Sequence, residues 1–104
     1  MWESPEAQSK LAAIRELIQH TLQHMRLAKA RGTMADKTRA TGIAVEVMFG
    51  IVETFEFGET TRHRVLGVVD VWLSNKPDNM SVSKLFEDVF IVLDIFSTQL
   101  ESTP

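Results

Sequence analysis

Two histidines, His20 and His24, stand four residues apart. On a helix that spacing puts both imidazoles on one face, where they can share a metal ion. The residues between them, Thr21-Leu22-Gln23, lack the glutamate that a zinc protease carries there, and His63 is the one further imidazole in the sequence. His20 and His24 also belong to a longer row. Ala13, Leu17, His20, His24 and Leu27 follow one another at spacings of four, three, four and three. That row is rotated by more than about 90° from a second row, Leu11, Ile14, Ile18, Leu22 and Met25, on the same segment. A helix with two apolar faces can turn one toward its own core, and the other then needs a lid or a partner. Leu17, His20, His24 and Leu27 are therefore expected to contact another protein chain. Protonating the imidazoles would put charge into that contact. No metal and no cofactor is expected.

Arg26, Lys29, Arg31, Lys37 and Arg39 gather on either side of Gly32, with Asp36 the one acid among them. Such a cluster fits electrostatic docking of an acidic partner, or phosphate contacts along DNA. No aromatic residue is interleaved, which removes the stacking platform of a single-strand binder. The formal net charge of −3 argues against a dedicated nucleic-acid protein. Trp2, just ahead of the first periodic segment, is a candidate anchor for a partner, as is Ile91, which sits among Glu87, Asp88 and Asp94. For catalysis the sequence offers no nucleophile elbow, phosphate loop or dinucleotide fingerprint, so an enzyme is not expected.

The elements that must carry these residues are helices. Ser4-Pro5-Glu6 reads as a helix start, with a capping serine, proline at the first position and an acid at the positive end of the dipole. Gly32 reads as its stop. The expected spans are about 5–31, 34–57, 61–74 and 82–101, with Thr33 and Asp36 opening the second and Thr60 or Thr61 the third. Gly42 and Gly50 in the second segment suit close approach of another helix. The fold class is all-α: a four-helix bundle or a pair of helical hairpins with a long first helix, in one domain over 1–104. The alternative is α+β with a hairpin around 43–73. Residues 43–57 are rich in β-branched and aromatic types, and the run Val52 to Phe57 broadly alternates between apolar and polar types.

The 104 residues hold no cysteine, so disulfides and thiolate chemistry are excluded. Met1-Trp2-Glu3-Ser4-Pro5-Glu6 does not resemble a signal peptide, and no run of apolar residues is long enough for a membrane span, so a cytoplasmic protein is expected. In size and architecture the chain is similar to bacterial anti-activators and anti-adaptors that mask a transcription regulator, and to small secretion chaperones. That likeness implies a small regulatory module acting through helix-mediated protein contacts. Its expected partner is a transcription regulator whose dimer interface it covers, or a second copy in a homodimer. The alternatives are a DNA-associated accessory protein using the basic turn 26–39, and a secretion chaperone.

Overall fold

Four helices make up the fold: α1 (Pro5–Arg31), α2 (Met34–Thr54), α3 (Glu59–Ser74) and α4 (Asn79–Ser102). It is seen in a computed structural model that describes residues 4–54, 58–74 and 79–102, with 79–81 described by backbone alone. Trp2, the expected last turn of α2 at 55–57 and the loop 75–78 lie outside the described residues. No helix among the described residues is long and apolar enough to cross a membrane.

Local chemistry fixes the helix ends. The Ser4 hydroxyl accepts from the Ala7 N–H at 3.1 Å, and Pro5 fills the first turn, where its missing donor costs nothing. At the other end Gly32 takes φ 74°, the left-handed conformation that a side chain would strain, and its N–H closes on the Ala28 carbonyl at 2.9 Å. One residue later the Thr33 hydroxyl accepts from the Asp36 N–H and donates to the Asp36 carboxylate, and α2 begins. The chain thus reverses within two residues, which forces α1 and α2 to lie antiparallel.

Long-range contacts give the remaining directions. Arg15 meets Leu100, Gln19 meets Ser97 and Lys29 meets Glu87, so α1 and α4 are antiparallel. Arg62 meets Val52 while Gly42 meets Trp72, so α2 and α3 are antiparallel as well. Met34 meets Ser83 and Lys37 meets Phe86, so α2 and α4 run parallel. The result is an up-down-up-down four-helix bundle. It is sheared, because α2 packs on α4 while α1 and α3 are not in contact among the described residues. α1 and α3 therefore flank a shared α2–α4 middle.

The core row expected on α1 is buried throughout: Leu11, Ile14, Ile18, Leu22 and Met25. It closes with Ala44, Met48 and Ile51 of α2, Val65 and Val69 of α3, and Phe86, Val89, Leu93, Phe96 and Leu100 of α4. Buried Thr21 and Thr41 return their hydroxyls to the carbonyls four residues back, at 2.7 Å each, so neither hydroxyl is left unpaired in the core.

Three expectations need correction. The α+β alternative fails, since residues 43–54 and 59–73 are helical. Strand propensity in that stretch yields to burial, because Thr41, Ala44, Met48 and Ile51 recur at helical spacing and all face the core. α3 begins at Glu59 rather than near 61: the Gly58 carbonyl accepts from the Arg62 N–H, and Thr61 lies inside the helix with its hydroxyl on the Gln99 side chain. The spacing of Val65, Leu66, Val68, Val69, Trp72 and Leu73 predicts one apolar stripe on α3, yet Leu73 is 72% exposed. A helix flanked by two neighbours instead of three can cover only a narrow stripe.

Gly42 and Gly50 play opposite parts. A Cβ at Gly42 would stand 3.1 Å from the Trp72 ring, whereas one at Gly50 would meet nothing within 4 Å. Gly42→Val should therefore destabilise the fold by about 1–3 kcal/mol through overpacking. Gly50→Ala should stabilise it by about 0.5–1 kcal/mol through helix propensity. Urea denaturation of the two variants measures both signs.

Candidate protein-binding face

α1 is a single unbroken helix of 27 residues, about 40 Å long. α2 and α4 cover one side of it, and among the described residues no other helix packs on the opposite side. The second apolar row lies there. Leu17 is 46% exposed and Leu27 45%; His20 and Ala13 are exposed and His24 is half-buried.

α2 supplies the other half of this surface. Ala13, Ile14 and Leu17 of α1 line a groove of about 470 Å³ with Val47, Gly50 and Ile51 of α2. Lys10 and Glu46 stand among its lining residues, and Thr54 lies at its far end. Gly50 keeps the groove open because it projects no side chain into it. Toward the α1–α2 turn the antiparallel register carries the surface on to Ile43, 38% exposed, one turn beyond Val47. The face is thus two helices wide, with an apolar groove at one end and exposed Leu27 and Ile43 toward the other.

Sequence reasoning missed the α2 half. Ile43, Val47, Gly50 and Thr54 repeat the spacing of four, three and four found in the α1 row. The β-branched residues in that stretch concealed it by suggesting a strand.

The remaining candidate residues disperse. Ile91 is 57% exposed but belongs to the outer side of α4, away from Leu17 and Leu27. The basic residues do not form one patch. Lys29 lies 3.7 Å from Glu87 and 5.8 Å from the centre of the Phe90 ring, and Lys37 lies 5.6 Å from the centre of the Phe86 ring, so both turn toward α4. Arg26 and Arg31 are exposed on α1, and Arg39 lies on the exposed side of α2 beside Ile43. His63 is on α3, which does not touch α1, so it does not join His20 and His24. Among the described residues no three His, Cys, Asp or Glu side chains come together as a metal site.

A second hollow, of about 500 Å³, opens at the start of α3 beside Arg62, His63 and Arg64. Arg62 is already engaged there, donating to the Val52 carbonyl at 3.0 Å and approaching the Glu53 carboxylate at 3.4 Å. The chain matches no known protein family, no curated protein and no solved structure.

Exposure sets the energetics of the α1 row. In dilute solution Leu17→Asp and Leu27→Asp should each change stability by less than about 1 kcal/mol and leave helical circular dichroism intact. Ile18→Asp, adjacent in sequence but fully buried, should cost more than about 4 kcal/mol by placing an unpaired charge in the core. Denaturant titration of the three variants separates the two faces.

Proposed function

We propose that the protein is a small protein-binding module whose α1–α2 face takes an amphipathic helix of a partner protein. The observation that carries this reading is the open groove at Gly50, lined by Ala13, Ile14 and Leu17 of α1 and Val47 and Ile51 of α2, with Leu27 and Ile43 exposed farther toward the α1–α2 turn. A helix with apolar residues every three or four positions fills such a groove and excludes water from both surfaces. The gain is about 25 cal/mol per Å² of apolar surface, before the costs of association. Lys10 and Glu46 at the groove would set the orientation of the bound helix through its charges. In the regulatory form of this reading the module occupies a helical surface through which its partner would otherwise dimerise, in the manner of an anti-activator. The basic turn supports the DNA-accessory reading less well, since Lys29 and Lys37 spend their charge on α4.

A photo-crosslinking residue placed in turn at positions 17, 27, 43 and 84, in cells of the native host, tests the face. The expected result is one discrete adduct, of the same mass at 17, 27 and 43, and none at 84 on the exposed side of α4. Absence of adducts at 17, 27 and 43, or an equal yield at 84, would overturn the reading.

A further inference from the structure

We draw no further inference here: the strongest candidate, the apolar groove between α1 and α2 beside Gly50, belongs to the face already described, and nothing in the structure shows what covers it.

Discussion

The structure depends on how much of α1 its neighbours can cover. A helix of 27 residues carries two apolar rows more than a quarter-turn apart, and the sheared bundle gives it only α2 and α4 as neighbours. One row, from Leu11 to Met25, is removed from water by both neighbours at once. The other, from Ala13 to Leu27, points to the side where no other helix lies among the described residues. A squarer bundle would not change this, because α3 would then stand diagonally across the core and still leave the outer side of α1 open. The uncovered row thus follows from the topology as well as from the sequence.

Polar contacts hold α1 in the rotation that produces this division. The Arg15 guanidinium donates to the Leu100 carbonyl at 2.8 Å, and the Gln19 amide donates to the Ser97 hydroxyl at 2.9 Å. Both bonds lie on the α4 side and are partly buried, where leaving one partner unpaired costs more than the bond itself contributes. Lys29 extends the same seam by reaching Glu87 and Phe90. Turning α1 to bury Leu17 would break all of these contacts. On the far side of the bundle Gly42 lets the Trp72 ring settle against α2 and fixes α3 in turn. Hydrogen bonds along one seam and a close approach along another leave the α1–α2 face uncovered among the described residues.

Much of this was legible in the sequence, and the exceptions share a cause. Ser4-Pro5, Gly32 and Thr33-Asp36 announce helix ends because capping is local chemistry, decided by a few adjacent residues. The core row of α1 is legible because burial on one side imposes a period. Residues 43–54 were ambiguous because Ile43, Val45, Val47 and Val52 favour a strand by propensity while Thr41, Ala44, Met48 and Ile51 keep helical spacing, and only packing decides between the two. The same ambiguity concealed Ile43, Val47 and Gly50 as half of the candidate site. The seam residues Arg15 and Gln19 read as ordinary surface polars, since their partners lie more than seventy positions away. The basic cluster around Gly32 was close in sequence but not in direction: successive residues on a helix point 100° apart, and the turn reverses the chain between them.

The central claim is that α1 has one face covered by its own chain and one left for a partner. Because the sequence contains no cysteine, a single introduced thiol reports on one position alone. Thiol-modification rates for Leu17→Cys, Leu27→Cys, Ile18→Cys and Leu22→Cys, measured across a dilution series, test the claim most directly. The account predicts rapid modification at 17 and 27 at the lowest concentration, with 18 and 22 protected throughout. Protection of all four positions at the lowest concentration would contradict it, because α1 would then be enclosed by its own chain.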